Sequence, residues 1–194
     1  MAGKLTVACT NEQYERIIHT MFTGIEGIGG KYDFEPKPIT ATALEVEANT
    51  GLRIGDVLSL TRGSIVKDGN RYRFNITEQK TGKKRTFTVP AKVYRFIEDY
   101  CDAYGIGQGE RIFPLTVRSV QMHLQKVCDY LGYEHISTHS FRKKFASNAY
   151  ANSGHDIELV RRLLQHSSAS VTSRYIGISD ERIDSVLNDC VSII

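Results

Sequence analysis

The chain has 194 residues, 41% of them hydrophobic and 24% charged, with a formal net charge of +3. That is enough chain for one domain with a real core, and the apolar share suits a globular protein rather than a disordered one. No apolar run reaches bilayer-spanning length, and the opening MAGKLTVACTNEQ lacks the long apolar stretch of a secretory signal, so the reading is of a cytoplasmic protein.

In chain order, Thr10 and Gln13 make a capping-box signature, followed by Tyr14, Ile17, Ile18, Met21 and Phe22 at helical spacing. TGIEGIGGKYDFEPKP reads as a loop, and its glycines match no phosphate-binding fingerprint. A second helix runs from Pro38 to about Thr50, with Gly51 as its stop. LRIGDVLSL follows as a turn and a short helix. GSIV and RYRFNITEQ flank Asp68-Gly69, a hairpin signal, and Tyr72, Phe74 and Ile76 alternate with Arg71, Arg73 and Asn75. KTGKK makes a second turn into RTFTVP. Everything after Pro90 reads helical. Val93, Ile97, Tyr100 and Tyr104 mark one helix; Val117, Val120, Leu124, Val127 and Leu131 mark another, stopped by Gly132. SFRKKFASNAYANS, DIELVRRLLQ and SASVTSRY carry three more. A last amphipathic segment sets Ile183, Val186, Leu187 and Cys190 on one face. The fold class is mostly α with a small three-stranded antiparallel sheet (α+β).

Cys9, Cys101, Cys128 and Cys190 are far apart with no Cys-x-x-Cys pair, so they read as buried or incidental thiols, not as a zinc site or disulfide framework. Charge is uneven. The tail Asp180–Ile194 is net −3, which leaves +6 on the rest. Bases cluster at Lys80/Lys83/Lys84/Arg85, Arg142/Lys143/Lys144 and Arg161/Arg162. Together they suit a polyanion; each alone is more often a solvated face.

The stretch HSFRKKFASNAYANSGHDIELVRRLLQHSSASVTSRYIG sets His139 three residues before Arg142 and His166 nine before Tyr175. Singly these are weak signals, since a tyrosine or histidine is usually a packing residue. As a set they suit one chemistry. A phenol of pKa ~10 is a poor nucleophile, and among so many bases its plausible target is a phosphodiester. Attack builds charge on the non-bridging oxygens, which planar, permanently charged guanidinium groups stabilise. One such donor supplies roughly 3–4 kcal/mol of the roughly 8–23 kcal/mol by which enzymes lower barriers, so several are needed, plus an acid for the leaving oxygen. His139 and Arg142 lie one helical turn apart and can face one site.

These residues resemble the C-terminal signature of the tyrosine recombinase (phage integrase) family: His-x-x-Arg (HSFR), Leu-Leu-Gly-His (LLQH) and a tyrosine nine residues on (TSRYIG). The family's Thr-Gly-Leu-Arg-x-x-Glu-Leu is similar to TGLRIGDVLSL, which supplies Arg53. Its β-turn lysine is matched in EQKTGKKRTFTVP. Lys80 fits the Lys-x-x-Lys register best, with Lys83 and Lys84 as rivals in the same turn. The likeness covers about Thr10 to Gly177. It departs at Gln165, where the family has Gly, and at Asp56, where it has Glu and where a shorter carboxylate can still brace a neighbour.

The resemblance implies that Tyr175 attacks a scissile phosphate to give a 3′-phosphotyrosyl DNA linkage. Arg53, Arg142 and His166 would hold the non-bridging oxygens, Lys80 would protonate the 5′ oxygen, and His139 would manage protons around the nucleophile. Lys83, Lys84, Lys143, Lys144 and Arg174 would contact other phosphates, while Arg161 and Arg162 receive no role. Neither metal nor other cofactor is implied. The implied partners are double-stranded DNA, further protomers in a synaptic tetramer and accessory DNA-bending proteins. The implied place is the cytoplasm, in association with the nucleoid, for a bacterial or phage-encoded protein, with no membrane partner. Residues 1–9 read as a tail, 10–178 as the catalytic domain, and 179–194 as an amphipathic segment able to pack in cis or on another protomer. Such a chain would be a fragment of a longer integrase. Rival readings are a type IB topoisomerase-like enzyme and a DNA-binding regulator that kept the fold without the chemistry.

Overall fold

The computed structural model describes residues 6–26, 33–78, 82 and 84–177, the side chains of Arg85 and Arg174 excepted. The chain divides into two compact units, Met1–Phe145 and Ala146–Ile194.

In the first unit, α1 (Asn11–Thr23) starts as its cap signature predicts. Thr10 Oγ1 accepts the Gln13 N–H and the Gln13 side chain accepts the Thr10 N–H. Ile17, Ile18 and Met21 are buried. Phe22, expected beside them, is 41% exposed. It sits in the last turn at the edge of the apolar stripe, and Thr20 takes the buried place instead.

Helix α2 (Pro38–Thr50) begins on its proline and ends at Gly51. It is buried on nearly every side, with Ala41, Ala43, Leu44, Val46 and Glu47 at 0–1% exposure. Its small side chains allow that, because neighbouring elements can approach its backbone closely. α3 (Ile54–Val57) follows at once.

The sheet has the expected three strands, β1 (Ile65–Asp68), β2 (Arg71–Thr77) and β3 (Lys84–Val89), antiparallel in the order β1-β2-β3. Asp68 pairs with Arg71, so the turn residues are Gly69-Asn70, one position later than the Asp68-Gly69 signal suggested. Phe74 and Ile76 are buried as the alternation required, and Phe74 faces Phe87 across β3. Tyr72 stacks on Tyr94 of α4 (Ala91–Ala103), with ring centroids 3.5 Å apart. Ile97 and Cys101 anchor α4 in the core. Tyr104, expected on that face, caps the helix and is 55% exposed, because the helix stops at Ala103. α5 (Val117–Leu131) buries Val120, Leu124 and Val127 and stops at Gly132. Cys9, Cys101 and Cys128 are buried free thiols, and burial pushes their pKa values up to about 11, 11 and 12. They are unreactive core groups, as read from their spacing.

α6 (Thr138–Asn152) begins in the first unit and ends in the second. The second unit adds α7 (Ile157–Leu164) and α8 (Ala169–Ile176), which pack on each other and bury Val160, Leu164 and Thr172. The amphipathic segment expected over 179–194, Cys190 included, lies outside the described residues. No helix among the described residues is long and apolar enough to cross a membrane.

Gly51 has φ +64°, and a Cβ there would stand 2.4 Å from Cδ1 of the Phe145 ring. Gly51→Ala therefore combines left-handed backbone strain with overpacking, and its cost is about 2–5 kcal/mol. Urea unfolding of the two proteins measures it.

Candidate active site

Each residue of TGLR has a local task. Thr50 Oγ1 donates to the Val46 carbonyl (2.6 Å) and accepts the Leu52 N–H (3.3 Å). Gly51 takes the left-handed conformation that ends α2, its N–H on the Glu47 carbonyl at 2.9 Å. Leu52 is buried in the core. Arg53 then stands at the N-cap of α3 with its side chain 21% exposed. Its Nη1 lies 2.9 Å from Glu78 Oε2 and 3.9 Å from Asp56 Oδ2. Both carboxylates are nearly inaccessible. Asp56 thus braces its neighbour as its position in the motif suggested. Glu78, directly after β2, is the stronger partner and was not singled out in the sequence. Its place after an alternating strand looks like a solvated strand end until the sheet is folded against α3.

Arg142 comes to the same turn from α6. It is 1% exposed, and its Nη1 donates to the Gly51 carbonyl. The two arginine motifs, 89 positions apart in sequence, therefore meet through one backbone carbonyl two residues before Arg53. His139 sits one turn earlier on α6 and is exposed. Lys143 and Lys144 hold the N-terminal segment. The Lys143 Nζ donates to the Thr6 carbonyl (2.6 Å), and the Lys144 Nζ donates to Asn11 Oδ1 and lies 5.1 Å from the centre of the Tyr14 ring. Partial burial lowers the Lys143 pKa. These intramolecular roles were not legible in a run of bases. Lys84 opens β3 and is exposed. Lys80 and Lys83 lie outside the described residues, as does the Arg174 side chain.

In the second unit, Asp156 caps α7 by accepting the Leu159 N–H, and Gln165 ends it at φ 53°, ψ 40°. The following residue, His166, is 8% exposed. Its Nδ1 lies 3.1 Å from Thr172 Oγ1, which donates its own proton to the Ser168 carbonyl at 3.3 Å. With the Thr172 proton on the Ser168 carbonyl, this contact is made with Nδ1 as the donor; the reverse tautomer would turn the hydroxyl toward the ring. The His166 and Tyr175 rings meet edge to face, centroids 4.9 Å apart. Tyr175 is half-buried near the end of α8.

Arg161, which received no role from the sequence, fixes the histidine's backbone. Its Nη1 donates to the His166 carbonyl (3.0 Å), while Nε and Nη2 clasp Glu158 at 2.7 and 2.6 Å. Hydrogen bonds from Arg161 and then Arg162 bring the Glu158 pKa down to about 2. The Glu158–Arg161 spacing of three on one helix was the available signal. Among the described residues no group of three His, Cys, Asp or Glu side chains could hold a metal ion.

The architecture, eight helices and a three-stranded sheet among the described residues, is that of tyrosine recombinase catalytic domains. The catalytic domain of bacteriophage HP1 integrase superposes with a TM-score of 0.62 at 17% identity, covering 94% of each chain. A lambda integrase dimer bound to a COC′ core site gives 0.67 at 18% identity, covering 92% of this chain and 51% of that one. Among curated relatives, the probable integrase/recombinase YoeC of Bacillus subtilis is 33% identical over 141 residues, 69% of this chain and 74% of YoeC. The tyrosine recombinase XerC of Pelobacter propionicus is 29% identical over 151 residues, 72% of this chain but 48% of XerC, so the match spans about half the length of that relative. The phage integrase family model matches residues 8–182. The chain belongs to the phage integrase family.

The left-handed Gln165 gives a physical reason for glycine at this position of the resembling motif. Gln165→Gly relieves about 1–2 kcal/mol of left-handed strain against about 0.5–1 kcal/mol of added unfolded-chain entropy. The variant is expected to be more stable by about 0.5–1 kcal/mol, read from its denaturation midpoint at unchanged slope.

Proposed function

We propose that this chain is the DNA-cleaving and rejoining part of a site-specific recombinase, with residues 10–178 as its catalytic domain. The observation that carries this reading is the buried Arg142 guanidinium on the Gly51 carbonyl, two residues from the carboxylate-braced Arg53. Two constrained guanidinium groups at one turn support the reading of an anion site, and the phage integrase family supports a phosphodiester as that anion.

In the proposed reaction the Tyr175 phenol oxygen forms a bond to the scissile phosphorus, and the bond from phosphorus to the 5′ oxygen breaks. The tyrosine proton passes to a base, for which His139 is the candidate. The 5′ oxygen takes a proton from Lys80. Arg53, Arg142 and the His166 Nε2 stabilise the charge on the non-bridging oxygens. A 5′-hydroxyl of another strand then attacks the phosphotyrosine and restores the phosphodiester. The linkage keeps its energy throughout, so no nucleotide cofactor is called for. Lys83, Lys84, Lys143, Lys144 and Arg174 are proposed to meet other phosphates. Lys143 and Lys144 would first have to release the N-terminal segment. Double-stranded DNA is the proposed substrate. Assembly as a synaptic tetramer, with accessory DNA-bending proteins, is the proposed working form.

The test uses a pool of nicked duplexes randomised around the nick, so that the cleaved strand's short end diffuses away and traps the covalent complex. Wild type is expected to give a denaturation-resistant protein–DNA adduct, and Tyr175→Phe none, with DNA binding retained. An adduct persisting in the variant removes Tyr175 from its role. No adduct from wild type leaves the non-catalytic regulator. Rejoining that relaxes supercoils but never exchanges partners between two duplexes favours the topoisomerase-like reading.

The leaving-group acid is tested separately. A 5′-bridging sulfur leaves as a thiolate whose parent thiol has a pKa near ~8.5, so it needs no proton donor. It is expected to restore cleavage largely to Lys80→Ala but not to Arg53→Ala or Arg142→Ala. Rescue of Lys83→Ala or Lys84→Ala instead names a different lysine of the turn. Rescue of none of the three points to His139 or His166.

A further inference from the structure

Glu47 has no place in the reaction above, yet its carboxyl lies within the field of Arg142 and beside the backbone that follows Arg53. It is 0% exposed, on the most buried helix of the fold, four residues before Gly51. Its own carbonyl receives the Gly51 N–H, and the Gly51 carbonyl receives Arg142. Its carboxyl feels the Arg142 charge on one side and the N–H of Ile54 on the other. Ile54 is the first residue of α3 and follows Arg53 directly. The Ile54 N–H falls short of a closed hydrogen bond, and among the described residues neither Oε atom has a partner of normal geometry.

A carboxyl so placed costs stability, and an apolar side chain of similar volume would fill the space better. The sequence keeps an acid there all the same. We propose that Glu47 is a positioning residue for strand cleavage, a buried carboxyl that holds the Gly51–Arg53 turn in register with Arg142 so that both guanidinium groups meet the scissile phosphate. The inference rests on the proposed function.

The carboxyl suits this task. Desolvation raises its pKa well above the ordinary range, against the opposing pull of Arg142. Burial thus favours the protonated form, which offsets less of the Arg142 charge than a carboxylate would. Arg53 differs, because Glu78 pairs with it directly. Arg142 is instead held at the Gly51 carbonyl, with the buried Glu47 acid beneath the same turn.

The experiment compares wild type, Glu47→Met and Glu47→Gln in the full 194-residue chain, on nicked duplexes captured by wild type. Met keeps the volume and removes the polar atoms; Gln keeps a shape close to the neutral acid. Glu47→Met is expected to unfold at the same or a higher temperature and to bind DNA as wild type does. Its single-turnover cleavage should fall roughly 10–100-fold, the scale of a small misplacement of reacting groups. Glu47→Gln is expected to recover most of the rate. On a duplex with an uncharged methylphosphonate at the scissile position, the gap between Met and wild type should shrink, because the charge that Arg142 serves is gone. Cleavage by Glu47→Met at the wild-type rate overturns the proposal. So does a parallel loss of stability, binding and rate, which marks a structural residue, or a gap unchanged on the methylphosphonate. If wild type itself gives no adduct on any duplex, the recombinase reading falls and this proposal with it. If wild type gives one and Met matches it, only the role of Glu47 falls.

Discussion

A guanidinium cannot shed its proton to escape a buried site, so placing Arg142 at 1% exposure commits the fold to supplying acceptors around it. One acceptor is the Gly51 carbonyl, and much of the first unit follows from presenting it. The carbonyl is free of α2 only because the helix ends there. The helix ends there because Gly51 adopts a left-handed conformation with the Phe145 ring where a Cβ would be. That close approach requires α2 to run through the core rather than over it, which its alanines and threonines permit. Thr50 then fixes the first step out of the helix through the Leu52 N–H, and Arg53 emerges at the start of α3 with its direction already set.

The sheet supplies the other half of that arrangement. Phe74 and Ile76 pin β2 to the core, so Glu78, just past its end, arrives beside Arg53 at 2.9 Å. The second unit solves a similar problem by different means. His166 is held by its backbone as much as by its ring, with Arg161 on its carbonyl and its own N–H returned to the Arg161 carbonyl. Thr172, one turn before Tyr175 on α8, holds the His166 ring at Nδ1. A shift of α8 would therefore move both the ring's hydrogen-bond partner and the tyrosine.

Where the sequence could be read, local chemistry was decisive. The Thr10 and Gly51 ends of helices, the alternation of β2 and the spacing of His139, Arg142, His166 and Tyr175 all depend on neighbours a few residues away. What escaped reading depends on tertiary partners. Glu47 and Glu78 look like ordinary surface acids in a string of letters, and only folding buries them. Lys143 and Lys144 look like a phosphate-binding run, yet they tie down a segment more than 130 residues earlier. Phe22 and Tyr104 matched a helical period that the helix ends cut short. Arg161 is intermediate, since its pairing with Glu158 was local and legible, while its bond to the His166 carbonyl required the turn at Gln165.

The costly features of this fold are not scattered. A buried guanidinium, a buried acid and a non-glycine residue in left-handed conformation each lower stability, and each is or adjoins a residue proposed for the chemistry. The compensating features lie elsewhere. They include the apolar faces of α1 and α5, the reciprocal caps at Thr10 and Thr116, and the stacked Tyr72 and Tyr94. Such a division is expected where a site must present fixed charge to a substrate. Arg142 and Arg53 are held by acceptors of the fold itself, the Gly51 carbonyl and the Glu78 carboxylate, so the direction of each guanidinium is set before anything binds. The cost of these groups and the fixed direction of the two guanidiniums are two consequences of one arrangement of charge.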